Sequence, residues 1–318
     1  METVMNVDPL SAAIFIAVVI IFLIIDLKSH SDDKPISLKN AAVWSAIWVV
    51  VSLMFAGYVA HIWGIEKMSL FLAGYFLEKS LAVDNLFVFM AIFASFSIED
   101  KYQHRVLYYG IVGAIILRFI FIAAGTSLLW LGGWVLGLFG LFVLWTAWKM
   151  WQNMRHGKEE ITDYTNHWSV RYTKRVLPVH TKLEGHNFLT KAGGGLAVTP
   201  LFLCLVCIEM SDVMFAFDSV PAVIAVTQVP FLVYTSNIFA ILGLRSLYFL
   251  LSAAKRRLVH LEKAVIGILA YIGVKMLLAV FGIIHISAMV SLFVVLGGLL
   301  TGVLTSLMFP SDSLPKKL

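Results

Sequence analysis

Five acidic residues stand inside stretches otherwise apolar enough to cross a bilayer: Glu78 and Asp84 in one, Glu209, Asp212 and Asp218 in another. A carboxylate at the centre of a membrane helix costs about 2.5–3.5 kcal/mol on insertion scales, so each needs a buried cation, a proton or a bound ion. With Asn85, Ser80, Ser211 and Ser219 beside them, the donors are hard oxygens, suited to magnesium, calcium or manganese(II) and poorly suited to soft metals. Four cations, Lys79, Arg118, Arg245 and Lys275, also fall within apolar runs and fit charge-balancing or gating roles. Five acids against four cations leave room for a bound cation. The plainer reading of the same residues is structural: Arg118 and Arg245 pair with Asp84 and Asp218, and the other acids are protonated and hold helices together.

Spacing constrains how these groups meet. Glu209 and Asp212 are three residues apart and share a helix face, whereas six residues of straight helix turn by about 240°. Glu78 with Asp84, or Asp212 with Asp218, therefore cannot face one ion from a straight helix. Either the helix unwinds between them or they face different partners. Their two apolar runs, Leu70 to Ile98 and Leu196 to Val226, exceed one crossing, and the second contains Pro200 and Pro221, which predicts interrupted or re-entrant helices.

The elements that must position these acids are membrane helices. Of 318 residues, 60% are hydrophobic and 14% charged, with a mean hydropathy of +0.89, outside the range of soluble domains. The acidic start and the absence of a small-residue cleavage pattern after the first apolar run argue against a removable signal peptide. Nine apolar runs approach the length of about 20 residues that crosses the hydrocarbon core. Lys and Arg fall three in 28–39, two at 101 and 105, eight in 149–191, four in 255–263 and two at 316 and 317, nineteen in all, against Lys67 alone on the other side. That division predicts the N-terminus outside and the C-terminus in the cytoplasm. It also places the basic residues in loops, which argues against nucleic acid as a partner.

The chain repeats itself. Glu78 through Asn85 matches Asp212 through Ser219 as acid, five residues, Asp and a small polar residue; Arg118 answers Arg245, and Lys149 answers Lys275. Two three-span units, 67–151 and 194–282, follow from these matches. The peripheral spans are 1–66 and 283–318, and a connector occupies 152–193. An odd number of spans per unit makes the repeat inverted, an arrangement whose substrate sites lie near the midplane between the halves. Asn237 reads as a helix-packing group, secondary to the acids. His156, His167, His180 and His186 in the connector have no compact ligand spacing. Cys204 and Cys207 read as apolar packing.

The segments from Glu78 to Phe89, from Glu209 to Ala222 and from Phe231 to Arg245 closely resemble the TerC/Alx family of bacterial inner-membrane proteins, and the resemblance runs from about the first span to the last. It implies manganese(II) export or homeostasis, with the family's acidic positions falling on Glu78, Asp84, Glu209, Asp212 and Asp218. Manganese(II) is then the transported ion, with calcium the second candidate. The expected partners are membrane lipid, a proton or sodium counter-ion and a further copy of the chain, with no organic cofactor. The alternatives are a calcium or other-cation antiporter, or a membrane scaffold for a tellurium or stress-resistance complex. A membrane enzyme finds no support, because no nucleophile and base stand together.

Overall fold

The computed structural model describes residues 7–29, 38–155, 163–180, 182–192, 195–254, 261–283 and 286–308. They form α1 (Pro9–Ser29), α2 (Leu38–Ser95), α3 (Asp100–Leu128), α4 (Trp134–Arg155), α5 (Trp168–Val176), the strands β1 (Leu189–Ala192) and β2 (Gly195–Val198), α6 (Pro200–Thr227), α7 (Pro230–Ile241), α8 (Leu244–Ala254), α9 (Leu261–Val280) and α10 (Ala288–Met308). The protein is an all-α polytopic membrane protein. By length and composition six of the described helices can cross a bilayer, or seven if the bent pair α7–α8 counts as one span. The nine apolar runs exceed this count because the described apolar part of α1, Pro9–Ile25, stands apart as a shorter helix and α2 is counted once.

The helix α2 is 58 residues long, about 87 Å if straight, nearly three hydrocarbon cores. It is not straight. Gly64 has φ 88° and ψ 170°, a conformation almost confined to glycine. The rings of Phe55 and Phe71 lie 5.4 Å apart, although the same sequence separation along a straight helix spans about 24 Å. Ser52 likewise reaches Tyr75. The helix therefore doubles back at Gly64 into two arms, 38–63 and 65–95, and the second arm carries Glu78 and Asp84.

The acidic stretches themselves are not interrupted, contrary to what their length and Pro221 predict. Residues 65–95 and Pro200–Thr227 are continuous helix, with Pro221 inside α6. A single proline removes one backbone donor, which a membrane helix tolerates when neighbours compensate. The 28 residues of α6 reach about 42 Å, a length that tilt accommodates. The interruption lies instead in the next span. There α7 ends at Ile241, Gly243 takes φ 82°, and α8 leaves at a bend of 42°. The Gly243 backbone rests on the Trp48 indole so closely that a Cβ would meet the ring at 2.5 Å.

Three apolar clusters hold the bundle. One joins the second arm of α2 with α3, α8 and the start of α6, and it includes Cys204 and Cys207, both free thiols. Another joins the end of α6 with α4, α9 and α10. The third packs α1 and the first arm of α2 on α7. Glycines permit the tightest crossings. A Cβ on Gly140 of α4 would lie 3.2 Å from the Gly273 carbonyl of α9, and one on Gly273 would lie 2.9 Å from the Gly140 carbonyl. In the connector, α5 and the antiparallel pair β1–β2 cover the start of α6.

A buried arginine between two carboxylates

The candidate site forms where the second arm of α2, α3, α6 and α7 meet. Arg118 of α3 is 1% exposed. Its Nη1 donates to Glu78 Oε1 of α2, to Ser219 Oγ of α6 at 3.2 Å and to Asn237 Oδ1 of α7 at 3.1 Å. Its Nη2 lies 3.6 Å from Asp212 Oδ1 of α6, an ion pair too long for a good hydrogen bond. Asp212 and Ser219 are seven residues apart, nearly two turns, so one face of α6 presents both to the guanidinium. A delocalised, weakly hydrated guanidinium suits such a buried place better than an ammonium would.

The hydrogen bonding is incomplete. Glu78 Oε2, Asp212 Oδ2, Glu209 Oε2 and Asn237 Nδ2 are buried without a hydrogen-bond partner. Such orphans are costly and point to strain, a proton or an ion. Glu209, one turn before Asp212, lies against the backbone of Gly113 on α3, and a Cβ at Gly113 would overlap its carboxylate. A cavity of about 10 Å³ borders the cluster, lined by Asp212 and Arg245 together with Leu86, Gly110 and Ile208. Room of that size holds about one water molecule, which excludes an organic substrate in this conformation.

The remaining predicted residues separate from this cluster. Asp218 turns to α4, where Thr146 Oγ1 donates to it at 3.3 Å; of the two alternatives for a six-residue spacing, different partners holds on α6. Among the described residues Lys79 faces no carboxylate. Its Nζ donates to the carbonyls of Ala240 and Leu242 at 3.0 and 3.2 Å, the acceptors exposed where α7 breaks, and a cation there also complements the helix dipole. Lys275 donates to Ser291 Oγ of α10 at 2.6 Å. Ser80 and Ser211 bond back to the Phe76 and Cys207 carbonyls of their own helices, so neither hydroxyl is aimed at the cluster. Asn85 and Arg245 are buried. The side chain of Asp84 lies outside the described residues, as do His156 and His285.

Among the described residues no three His, Cys, Asp or Glu side chains converge on one point. The predicted ligand set is thus divided: Glu78, Asp212 and Asn237 surround Arg118, Glu209 stands beside them, and Asp218 is elsewhere. The place between Glu78 and Asp212 is filled by the guanidinium, which offers the two carboxylates the positive charge a metal would. Arg118, expected to pair with Asp84, whose side chain is not among the described residues, pairs with Glu78 and Asp212, one acid from each repeat motif. Gly113 and Thr146 went unrecognised. A glycine inside an apolar span was the available signal for Gly113; Thr146 had none.

Among the described residues the connector histidines do not converge either. His180 Nε2 approaches Glu184 at 3.8 Å, and His186 packs edge-on against Tyr102. His167 precedes α5 with its Nδ1 2.8 Å from Ser169 Oγ. Burial, and then the nearby Arg171, lowers the His167 pKa from its ordinary 6.5. Asp163 accepts from the Thr165 hydroxyl and amide, which lowers its pKa.

No solved structure matches the chain. Known sequences do. A tellurium resistance protein TerC of Serratia marcescens is 51% identical over 93% of both chains. A protein of Salmonella typhi with the provisional name membrane-bound redox modulator Alx is 42% identical over 89% of both chains, and an uncharacterised membrane protein of Myxococcus xanthus is 40% identical over 92% of this chain and 90% of its own. Residues 63–314 match the description "Integral membrane protein TerC family", which takes in the hairpin arm, both acidic helices and the bent α7–α8 pair: the chain belongs to the TerC family.

Proposed function

We propose that the protein exports a divalent metal ion, manganese(II) foremost, across the bacterial inner membrane, using the carboxylates around Arg118 as its ion-binding groups. The observation that carries this reading is the set of orphan carboxylate oxygens, Glu78 Oε2, Asp212 Oδ2 and Glu209 Oε2, beside one buried guanidinium. The two carboxylates on Arg118, with Glu209 one turn from Asp212, hold more acceptor capacity than the guanidinium uses, and hard oxygens of this kind select magnesium, calcium or manganese over soft metals. With α2 crossing twice, α7–α8 once and α1 once, the chain crosses nine times, N-terminus outside and C-terminus in the cytoplasm, and the inverted repeat places one acid helix in each half. A proton or sodium ion as counter-ion balances the charge of the returning carrier.

The test is manganese flux per folded protein in proteoliposomes, with calcium and magnesium as competitors. Glu209→Gln keeps the shape and removes the charge. It is expected to insert normally and to abolish flux; wild-type flux from this variant removes Glu209 from the ion path, and no flux from the wild type sinks the reading. A second reading draws on the tellurium-resistance name of the Serratia relative: a membrane scaffold for a resistance complex. It predicts that tellurite resistance survives Glu209→Gln unchanged.

A further inference from the structure

The nine-residue helix α5 of the connector presents a surface that the carboxylate cluster does not use. At 100° per residue, Ser169, Val170 and Thr173 occupy one arc, and all three are buried. The rest of the circumference divides into two sectors. Trp168, Tyr172 and Val176 follow one another four residues apart and are 51, 65 and 61% exposed. Arg171, Lys174 and Arg175 fill the adjoining arc and are exposed. The helix contains no acidic residue. Its buried face packs against the N-terminal half of α6, where Ser169 reaches Cys207.

An exposed Trp–Tyr–Val sector beside a basic sector is what a helix lying in a lipid interface needs. The rings occupy the boundary between headgroups and acyl chains, and the long cationic side chains reach the phosphates. Water alone gives no reason to display Trp168, Tyr172 and Val176 in register. An acidic protein surface would satisfy the cations, but the aromatic pair and the attachment of α5 to the N-terminal half of a membrane span favour lipid. We propose that α5 is an interfacial helix that docks on anionic phospholipid headgroups and fixes the connector to the membrane surface.

The experiment places a bimane fluorophore on Tyr172→Cys in the full chain. Cys204 and Cys207 are buried, which directs labelling to the new thiol. In phosphatidylglycerol-containing vesicles the emission is expected to be blue-shifted and quenched by brominated acyl chains. Both effects are expected to be lost in purely phosphatidylcholine vesicles and in the Arg171→Gln/Lys174→Gln/Arg175→Gln variant, whose changes touch only exposed side chains and leave thermal unfolding unchanged. Quenching by aqueous iodide in every vesicle, with none by brominated lipid, overturns the proposal. So does acyl-chain quenching that ignores both lipid charge and the triple variant. Protection by added poly-glutamate but not by anionic lipid also overturns it, in favour of an acidic protein partner.

Discussion

Replacing Arg118 by Met removes the positive charge while keeping much of the stem. It strands Glu78, fully buried, and Asp212, 3% exposed, and it takes a donor from Ser219 and Asn237. Breaking a buried pair by removing one partner costs about 3–5 kcal/mol, most of it the uncompensated charge left behind. Asp212 is the less dependent of the two acids, since its nearest oxygen lies 3.6 Å from the guanidinium. Glu78 is in direct contact, so most of the loss should fall on the Glu78 pair. Glu78→Gln alone should cost less, because Arg118 keeps Asp212 as its counter-charge. The double variant Arg118→Met/Glu78→Gln should then recover at least about 2 kcal/mol relative to the sum of the single changes, within the range for contacting residues. Reversible unfolding in mixed detergent micelles, followed by tryptophan fluorescence, reads all four corners of that cycle. Additive losses, or an Arg118→Met protein as stable as the wild type, would refute the claim that this guanidinium holds the two repeat motifs together.

Gly113→Ala places a methyl where the Glu209 carboxylate now rests. That carboxylate is the end of a flexible chain and can turn away, so stability should fall by no more than about 1–3 kcal/mol while manganese flux falls sharply; unchanged flux would show that the position of Glu209 is immaterial. A pH effect is expected at the connector. The His167 pKa is lowered by burial from 6.5, so the unfolded connector binds a proton first and stability rises with pH through this window. The contribution is fully present above about pH 6.5 and is lost as pH falls towards the folded value. The protection factors of the α5 amides, taken relative to intrinsic exchange at each pH, should fall over that interval, and His167→Asn should flatten the dependence; a profile unaffected by the substitution would assign it to another group.

What the sequence discloses here follows from how local each cause is. Membrane helices announce themselves through runs of apolar residues, and the runs Leu70 to Ile98 and Leu196 to Val226 end within a few residues of the helix ends at Ser95 and Thr227, because burying polar backbone in lipid leaves helix as the solution. The reversal at Gly64 was legible as a gap between two such runs, with Lys67 beyond it. Partner choice is not local. Arg118 takes Glu78 and Asp212 because α2, α3 and α6 cross at that depth, and no spacing within one helix encodes the crossing. The broken span was assigned to the wrong helix for a similar reason. Pro221 looks like a breaker in isolation, but its helix loses a single donor, whereas Gly243 has to adopt φ 82° beneath the Trp48 ring and ends α7 outright. The break then exposes the Ala240 and Leu242 carbonyls, and Lys79, read in the sequence as a counter-charge for acids, is drawn to them instead. The lysine of the first acidic motif therefore caps the break after α7, while Arg118 holds one acid from each motif. Because both contacts involve adjacent residues on one arm, Glu78 and Lys79, a displacement of that arm relative to both α3 and α7 must disturb the ion pair and the helix cap together. A carrier that alternates its access at this site would have to break them in the same step.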